Sequence, residues 1–338
     1  MTDIGDEAAT QRRMMQMING YWITQIVHGA AEARYADTLR NGALTADELA
    51  RAAGLDPVAA KRHLGACASL GLVTVDGERY AATPLLDLLR HDHPQSLRGL
   101  AISQALPGHW LPWGRFTDAL RTGESQAASA LGCGIFDYMA QAPEEAEAFR
   151  QAMRGLTAST ADDVARILDT STLTDVVDVG GAGGSLLPAL LAANEGLKGI
   201  LFDRSTVNAD RALVAMPDDI SSRIKIVTGN FFEEVPAGDL LLLKHVMHNW
   251  TDDACATILA NCRKAVSSKG RIAIIELVLG EGAECDFAPL MDMNMMVMVA
   301  GRERSFEQFA ELLGRSGFTK TRMTRTSSRM AVIEAEPA

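Results

Sequence analysis

The second half of this 338-residue chain alternates between short apolar runs and helical patterns, and this alternation limits the fold more than any other feature. Short apolar runs separated by segments of helix length are typical of parallel strands that are buried on both faces. The runs are Val176 to Val179, Gly199 to Phe202, Ile224 to Val227, Leu240 to Leu243 and Ile272 to Leu277. The pattern predicts an α/β fold with a mostly parallel sheet that helices cover on both sides.

The end of the chain departs from this alternation. Lys320 to Arg325 and Met330 to Glu334 read as two strands, joined by a Thr-Ser-Ser turn at 326–328. Strands joined by so short a turn run antiparallel. We therefore expect a C-terminal antiparallel hairpin.

The N-terminal region, from Arg12 to about Leu100, has a mostly helical pattern. Thr45-Ala46-Asp47-Glu48 has the form of a capping box and predicts a helix start, and Asp56-Pro57 predicts the next one. Gly54 and Gly71 are expected to end these two helices. The region begins with five apolar residues spaced as on one face of a long helix, which are Met15, Ile18, Trp22, Ile26 and Ala30.

A small hairpin is predicted directly after these helices. Leu72 to Val75 and Arg79 to Ala82 read as strands, and Asp76-Gly77 supplies the positive φ angles of a tight turn. Helix, helix and hairpin form a winged-helix arrangement, which often binds DNA. Here the second helix offers few basic residues beyond Lys61 and Arg62, and the net charge of -11 opposes binding to phosphates. We expect no nucleic-acid partner and interpret the region as a dimerisation scaffold; a ligand-sensing winged-helix regulator is the alternative from another class of protein.

Composition favours a soluble globular protein. Apolar residues make up 47% of the chain and charged residues 22%, and no apolar run reaches the roughly 18 residues of a membrane span, so no membrane partner is expected. Met1 to Arg13 lacks the apolar stretch of a secretory signal, which favours a cytoplasmic location.

The five cysteines form no Cys-x-x-Cys pair and no cluster with histidine, so neither a disulfide framework nor a metal site is predicted.

A glycine-rich turn follows the first strand of the predicted sheet. Residues 180–184 read Gly-Gly-Ala-Gly-Gly, so the backbone there can approach a nucleotide-like ligand closely. Counting from Gly181 gives Gly183 and then Leu186, so the third glycine of the dinucleotide fingerprint is missing. Asp203 ends the next strand, where an acidic side chain can accept from both hydroxyls of a ribose. The looser turn suits S-adenosylmethionine, which has no pyrophosphate to be held.

An ionisable imidazole lies just past the fourth predicted strand. Residues 243–252 read Leu-Lys-His-Val-Met-His-Asn-Trp-Thr-Asp. In open α/β sheets the carboxyl ends of the strands form the ligand-binding edge, so this segment is expected near the glycine-rich turn. Histidine titrates near pH 6.5 and suits a base that works at neutral pH. His248 is therefore a candidate base beside a cofactor, whereas we interpret His245 as structural.

Together these segments resemble the S-adenosylmethionine-dependent small-molecule O-methyltransferases of the bacterial natural-product type. The resemblance rests on an ordered set that spans most of the chain rather than on one motif. The set comprises residues 180–184, Asp203, Gly229-Asn230-Phe231-Phe232, Lys244 with His248-Asn249-Trp250, and Gly301-Arg302-Glu303-Arg304-Ser305. Asn230 and Asn249 stand where that family usually has aspartate.

The resemblance implies a Rossmann-like methyltransferase domain with a C-terminal antiparallel hairpin, preceded by an α-helical winged-helix domain that forms a homodimer. We predict the helical, winged-helix dimerisation domain at residues 1–105. A helical connecting and substrate-lining region is predicted at 106–170, and the S-adenosylmethionine-binding catalytic domain at 171–338.

The resemblance also implies cofactor contacts residue by residue. The glycine-rich turn would face the amino-acid and ribose portion of S-adenosylmethionine, and Asn230 and Phe231 would contact adenine. Lys244 resembles the family lysine beside the cofactor, and Thr157 resembles the hydroxyl residue near its carboxylate. The predicted cofactor-binding residues are Asp178, Gly180, Gly181, Gly183, Asp203, Arg204, Gly229, Asn230, Phe231, Lys244 and Thr157.

By resemblance His248 is the catalytic base, and Glu276 and Glu303 are the carboxylates that flank it. Methyl transfer from a sulfonium releases a neutral thioether, so no metal and no leaving-group acid are required. A phenol or alcohol attacks poorly while it is protonated, and a base positioned against its hydroxyl accelerates the reaction by roughly a hundredfold or more. A neighbouring carboxylate can orient the imidazole and stabilise the imidazolium that forms.

The expected acceptor is a hydroxyl group, phenolic in character, of a small aromatic or apolar compound, because the methionine-rich segment at 291–298 is apolar and adaptable. The resemblance implies that Asp292 and Met296 lie near the acceptor, and we assign Met153 and Trp250 to the same pocket. C- or N-methylation, or a diverted enzyme that binds the cofactor without methylating, are the alternatives on the same fold. The identity of the acceptor does not follow from the sequence.

Overall fold

The computed structural model describes residues 4–181, 186–204, 216–280 and 287–338. Two compact units share the chain, one formed by Met1–Trp110 with Ala142–Leu156 and the other by Leu111–Gln141 with Thr157–Ala338. The three-part division at residues 105 and 170 stays a prediction. Within the described ranges, no helix combines the length and the apolar character needed to cross a membrane.

The first unit consists of helices and a small antiparallel sheet. The prediction of one long helix at the start of this unit is wrong. The chain forms α1 (Ile4–Ile18) and α2 (Gly20–Glu32), which break at Asn19, where the poor helix formers Asn19 and Gly20 adjoin. The chain continues through α3 (Tyr35–Thr38), β1 (Leu44–Thr45), α4 (Ala46–Ala53), α5 (Pro57–Ser69), β2 (Val73–Asp76), β3 (Arg79–Ala82), α6 (Pro84–Asp87), α7 (Arg98–Ser103) and α8 (Pro107–Trp113).

The predicted local signals of this unit are present. Thr45 N donates to the Glu48 carboxylate at 2.7 Å, and Glu48 N donates back to Thr45 Oγ1, which completes the capping box of α4. Asp56 accepts from Ala59 N at 2.8 Å and caps α5. Strand β3 pairs antiparallel with β2 and with β1, so α4, α5 and the β2–β3 hairpin form the predicted winged-helix arrangement.

The second unit is an α/β structure. Its elements are α9 (Phe116–Thr122), α10 (Ala127–Leu131), α11 (Ile135–Gln141), the second part of α12 (Pro143–Ile167), β4 (Asp175–Val179), α13 (Leu187–Ala193), β5 (Lys198–Asp203), α14 (Asp218–Ser221), β6 (Ile224–Thr228), β7 (Gly238–Lys244), α15 (Asp252–Ala265), β8 (Val266–Glu276), β9 (Val278–Leu279), α16 (Ala288–Met298), β10 (Arg304–Ser305), α17 (Phe306–Arg315), β11 (Phe318–Arg325) and β12 (Ala331–Pro337).

The main sheet has the strand order β11-β12-β8-β7-β4-β5-β6. The five strands from β6 to β8 are parallel, whereas β12 pairs antiparallel with β8 and β11 pairs antiparallel with β12. The predicted parallel sheet and its closing hairpin are therefore confirmed. Parallel strands bring their carboxyl ends to the same edge, so β4, β5, β6 and β7 all end beside one another.

Both faces of the sheet are buried, which explains why its strands read as continuous apolar runs. Along β7, Leu241 and Leu243 belong to the core on one face, while Leu240 and Leu242 belong to the core on the other. Side chains alternate in direction along a strand, so burial on both faces demands apolar residues at every position. The buried polar residues at the ends of these strands are the exceptions, and they lie in the candidate site.

Candidate active site

The turn after β4 requires glycine at its first two positions. Gly180 has a φ of +74°, and its N–H donates to the carbonyl of Phe202 at 2.8 Å. A Cβ at Gly181 would come within 2.6 Å of the Asp178 carboxylate. The backbone therefore remains uncovered where the sheet edge can receive a ligand. The predicted cofactor residue Gly183 lies outside the described residues.

Two opposite charges are buried at the ends of neighbouring strands beside this turn. Burial raises the pKa of Asp178 to about 7, although the ammonium of Lys244 opposes that shift. Burial likewise lowers the pKa of Lys244 to about 8, against the attraction of Glu276 and Asp178. The sheet edge thus offers one carboxyl and one amino group, a combination suited to a ligand with an amino-acid tail.

The next two strands contribute a carboxylate and an amide. Asp203 ends β5, where its Oδ1 accepts from Arg204 N at 2.6 Å and its carbonyl accepts from Gly229 N at 3.1 Å. A Cβ at Gly229 would overlap the ring of Phe202, so only glycine permits this approach of the two strand ends.

Asn230 departs from the family's aspartate for a local reason. Its Oδ1 accepts from Phe232 N at 3.1 Å, as a turn aspartate would, while its Nδ2 donates to Glu233 Oε1 at 2.8 Å. An aspartate would retain the first bond but would place a second negative charge against Glu233. Asparagine therefore suits this turn better.

His248 lies in a short 3₁₀ turn, Met247–Asn249, between β7 and α15. Only 6% of the residue is exposed. Its Nδ1 lies 2.8 Å from Glu303 Oε1 and 3.5 Å from Glu276 Oε2. Glu276, at the end of β8, uses its other oxygen to accept from Met247 N at 3.0 Å. The three predicted catalytic residues are therefore brought together, from parts of the chain that are far apart in sequence.

Burial disfavours the charged forms in this cluster. It lowers the pKa of His248, against the attraction of Glu276, and it raises the pKa of Glu276 to about 7. Burial and the nearby Asp292 raise the pKa of Glu303 to about 8. Near neutral pH the imidazole is therefore uncharged, which is the form that accepts a proton.

The turn that carries His248 is held by a buried arginine on the segment that carries Glu303. The guanidinium of Arg304, with 0% exposure, donates to the carbonyl of Met247 at 3.0 Å and to that of Trp250 at 2.8 Å. It also donates to Asp252 at 2.7 Å. The turn of His248 and the segment of Glu303 are thus joined by hydrogen bonds to main-chain carbonyls.

Gly301 lets the same two segments approach. A Cβ at this position would overlap the backbone from His248 to Trp250. Asp292 in α16 completes the support, because its carboxylate accepts from Glu303 N at 2.9 Å. Sequence reasoning assigned no individual role to Arg304, Gly301 or Asp252; the only signal was the position of Gly301 and Arg304 close to Glu303 in one motif.

The remaining predicted substrate and cofactor residues lie in different surroundings. Trp250 is half-buried and stacks on Phe136 with ring centroids 5.9 Å apart. Met296 packs with the small apolar cluster around α16. Thr157 is buried in the second unit, whereas Met153 is half-buried in the first. Their roles in binding stay predictions.

His245 ends up close to the candidate base. Its φ of +53° is unusual for a residue with a side chain, and its ring centroid lies 5.0 Å from that of His248. Burial lowers its pKa well below the ordinary value. Asn249 donates from Nδ2 to the carbonyl of His245 at 2.9 Å, so this asparagine stabilises the turn itself.

Comparison with known proteins identifies the family of the chain. The family model of the O-methyltransferase domain matches residues 113–319, and that of the O-methyltransferase dimerisation domain matches residues 15–92. The chain is 35% identical to the phenazine O-methyltransferase PhzM of Lysobacter antibioticus, over 96% of this chain and 95% of the relative. It is 34% identical to the O-demethylpuromycin-O-methyltransferase of Streptomyces alboniger, over 97% and 89%.

A solved relative contains the cofactor. The O-methyltransferase NcsB1 from neocarzinostatin biosynthesis, in complex with S-adenosylmethionine and 2-hydroxy-5-methyl naphthoic acid, superposes with a TM-score of 0.78 at 30% identity, over 94% of this chain and 96% of NcsB1. Relatives also include the phenazine-1-carboxylate N-methyltransferase of Pseudomonas aeruginosa, 28% identical over 98% of both chains. The strand-end glycines, with Asp178 and Lys244, fit such a cofactor. The chain belongs to the O-methyltransferase family of specialised metabolism and is an S-adenosylmethionine-dependent methyltransferase.

Proposed function

We propose that this enzyme methylates a phenolic hydroxyl of a small aromatic specialised metabolite, with His248 as the general base. The observation that carries the proposal is the buried 2.8 Å hydrogen bond between His248 Nδ1 and Glu303 Oε1. Because Nδ1 is engaged, Nε2 is the ring atom that takes a proton from an acceptor. Glu303 then balances the charge of the imidazolium.

The transfer follows from this arrangement. Nε2 of His248 removes the hydroxyl proton of the acceptor, and the oxygen attacks the methyl carbon of the sulfonium. The C–S bond breaks as the O–C bond forms, and its electron pair stays on sulfur, so S-adenosylhomocysteine leaves as a neutral thioether. Glu276 holds the main chain of the turn and keeps the imidazole in place.

The cofactor is proposed to bind at the ends of β4, β5, β6 and β7. Asp203 would accept from the ribose hydroxyls, and the buried pair Asp178 and Lys244 would face the amino-acid portion. The backbone of Gly180 and Gly181 would approach the ligand. Phe231 would contact adenine with its ring. Asn230 would contact adenine through the second hydrogen of its Nδ2, which its local turn does not use. Arg204, Gly229 and Thr157 are proposed as further contacts.

The acceptor is proposed to lie against Trp250, Asp292 and Met296, whereas the assignment of Met153, a residue of the first unit, stays a prediction. NcsB1, whose complex contains a hydroxynaphthoic acid, supports an aromatic acceptor with a hydroxyl group. N-methylation is the second candidate, because one relative is an N-methyltransferase. A neutral amine attacks without prior loss of a proton, so it depends far less on a base than a phenol does.

We further propose a homodimer built on α1 and α2. The exposed apolar side chains of these helices are Met14, Met15, Met17, Ile18, Tyr21, Trp22 and Ile23, each 41% exposed or more. So many exposed large apolar side chains within ten residues of sequence mark a candidate interaction site. The match to the dimerisation domain favours a second copy of the chain as its partner. Light scattering on the wild type and on Trp22→Glu tests this, and a wild-type monomer would contradict it.

The test of the activity compares wild type with His248→Ala and His248→Gln. The enzyme is incubated with S-adenosylmethionine and a panel of aromatic compounds that carry only a hydroxyl group or only an amino group. We expect methyl ethers as products, and a loss in kcat of roughly a hundredfold or more in both variants. Calorimetry should give an unchanged Kd for S-adenosylmethionine. Methylation of amines alone, or full activity without His248, would overturn the proposal.

A further inference from the structure

Three potential metal ligands meet beside the methyl-transfer site. His245 Nδ1 lies 3.7 Å from Glu276 Oε2, and His248 Nδ1 lies 3.5 Å from the same oxygen. All three donor atoms lie within 4.8 Å of one another. A zinc ion holds nitrogen and oxygen ligands at roughly 2.0 to 2.2 Å in a tetrahedron, which separates neighbouring donor atoms by about 3.4 Å. The two nitrogen-to-oxygen distances, 3.7 Å and 3.5 Å, are close to that value.

Two of the three donor atoms lie in the cluster without a hydrogen bond, whereas His248 Nδ1 is bonded to Glu303. Among the residues that the structure describes, His245 Nδ1 and Glu276 Oε2 are buried and have no hydrogen-bond partner. Glu276 has 0% exposure, so its carboxylate oxygen is cut off from bulk water as well. Glu303 Oε2 is in the same situation. Buried polar atoms without partners are costly, and a bound cation satisfies them.

The donor chemistry of the cluster suits a transition metal. Glu276 and Glu303 place two carboxyl groups beside the imidazoles, while the Lys244 ammonium interacts with Glu276 and the Arg304 guanidinium is bonded to two carbonyls and to Asp252. One carboxylate and two neutral imidazoles form a donor set that suits Zn²⁺ and the other late first-row transition metals rather than Mg²⁺ or Ca²⁺, which prefer oxygen ligands alone.

We propose that His245, His248 and Glu276 form a binding site for a transition-metal ion of the Zn²⁺ class, and that a bound ion stops methyl transfer. The inhibitory part rests on the proposed role of His248 as base. A metal ion at Nδ1 takes the lone pair of that nitrogen, so the single proton of the neutral ring moves from Nδ1 to Nε2 and the hydrogen bond to Glu303 is lost. That nitrogen then has no lone pair for the proton of the acceptor, and the imidazole cannot act as a base.

Binding is tested first with Co²⁺, because its visible d–d absorption reports coordination without any methyl acceptor. The full-length wild type should develop these bands and saturate at one Co²⁺ per chain, and Zn²⁺ should displace the ion. His245→Asn is the informative variant, because asparagine tolerates the left-handed backbone of this position but lacks the imidazole. It should lose the bands.

The control is His91→Asn, in the exposed group of Asp37, His91 and Asp92, which also has the spacing of a metal site. This variant should keep the Co²⁺ bands of the wild type. Absent bands in the wild type, or full bands in His245→Asn, would overturn the proposal. Bands that disappear in His91→Asn would assign the ion to the surface group and would overturn it too.

Inhibition is measured separately with a methyl acceptor. Zn²⁺ should inhibit the wild type reversibly, with activity restored by a chelator, and the inhibitory concentration should rise at least roughly tenfold in His245→Asn. Equal inhibition of both proteins would contradict the inhibitory role. If Co²⁺ binds at His245 but no hydroxyl compound is methylated, the metal site is supported and the proposed function is wrong. If a hydroxyl compound is methylated but no Co²⁺ binds, the proposed function is supported and the metal site is wrong.

Discussion

The guanidinium of Arg304 donates to the main-chain carbonyl of Met247 across 3.0 Å, and this bond connects the segment of Glu303 to the turn of His248. A second bond, to the carbonyl of Trp250, holds the other end of the turn. His248 and Glu303 are each one residue away from the Arg304–Met247 contact. Their 2.8 Å bond therefore depends on a buried arginine that touches neither of their side chains.

Replacing this arginine should impair chemistry more than cofactor binding. In Arg304→Met two buried carbonyls lose their donor, which costs about 3 kcal/mol in the free energy of unfolding. Displacement of His248 should lower kcat by roughly tenfold to a hundredfold, while the Kd for S-adenosylmethionine stays within about threefold of that of the wild type. Urea unfolding, calorimetry and kcat, measured where the variant is fully folded, check this.

The control for this variant is Asp252→Asn. It removes the ion pair to the same guanidinium but leaves both carbonyl bonds in place, and Asp252 is partly exposed. Its kcat should stay close to that of the wild type. A similar fall in kcat in Asp252→Asn would assign the effect to charge rather than to the position of the turn.

Gly301→Ala should push the segment of Glu303 away from the turn of His248. The added Cβ would overlap the backbone between His248 and Trp250, so the segment of Glu303 must move away. We expect kcat to fall by roughly tenfold or more. Gly314→Ala is the matched control, since a Cβ there has nothing within 4 Å and alanine favours the helix α17. Equal kcat in the two variants would refute the packing argument.

The pH dependence of kcat should report the pair of His248 and Glu303. His248 and Glu303 can take a proton from the substrate only after the pair has released its own proton. The pKa of Glu303 is raised to about 8. A raised pKa delays that loss, so wild-type kcat should rise with pH and level off only above about pH 8.

Glu303→Gln should shift the pH dependence of kcat. Without the carboxyl group of Glu303, the buried groups that remain are Glu276, whose pKa is raised to about 7, and His248, whose pKa burial holds below the ordinary value. The acid limb of the profile should therefore move to lower pH, from about 8 to about 7 or below, while the plateau falls because the imidazolium has lost its partner. Profiles of kcat from about pH 5 to about pH 10 test both statements. A limb that does not move would show that another group controls the rate.

Gly229→Ala should weaken binding of the cofactor. A Cβ there would overlap the ring of Phe202, so the turn with Asn230 and the end of β5 with Asp203 must separate. The Kd for S-adenosylmethionine should rise by roughly tenfold or more, because bidentate contacts depend on position. Gly196→Ala, with its nearest neighbour at 3.4 Å, should bind normally. Calorimetry compares the two, and equal Kd values would exclude this role of Gly229.

Much of the fold was predictable because its signals are local. The capping box of Thr45 and Glu48, the hairpin at 73–82 and the apolar strands each depend on residues that are neighbours in sequence. The break at Asn19 was missed because the apolar spacing continues across it. The extent of β8, which begins at Val266, was also missed, since Ser267, Ser268 and Lys269 give its start a polar pattern.

The sequence by itself determined the class of protein and the candidate base, because the glycine-rich turn, Asp203 and His248 follow apolar strands whose carboxyl ends must meet at one edge. Only the tertiary structure decided how that base is held. Arg304 is a charged residue that a sequence pattern assigns to the surface, yet its burial is possible because two carbonyls and Asp252 satisfy it. The approach of His245 to Glu276 likewise depends on one backbone angle and on contacts across the sheet edge, and neither is encoded in residue spacing.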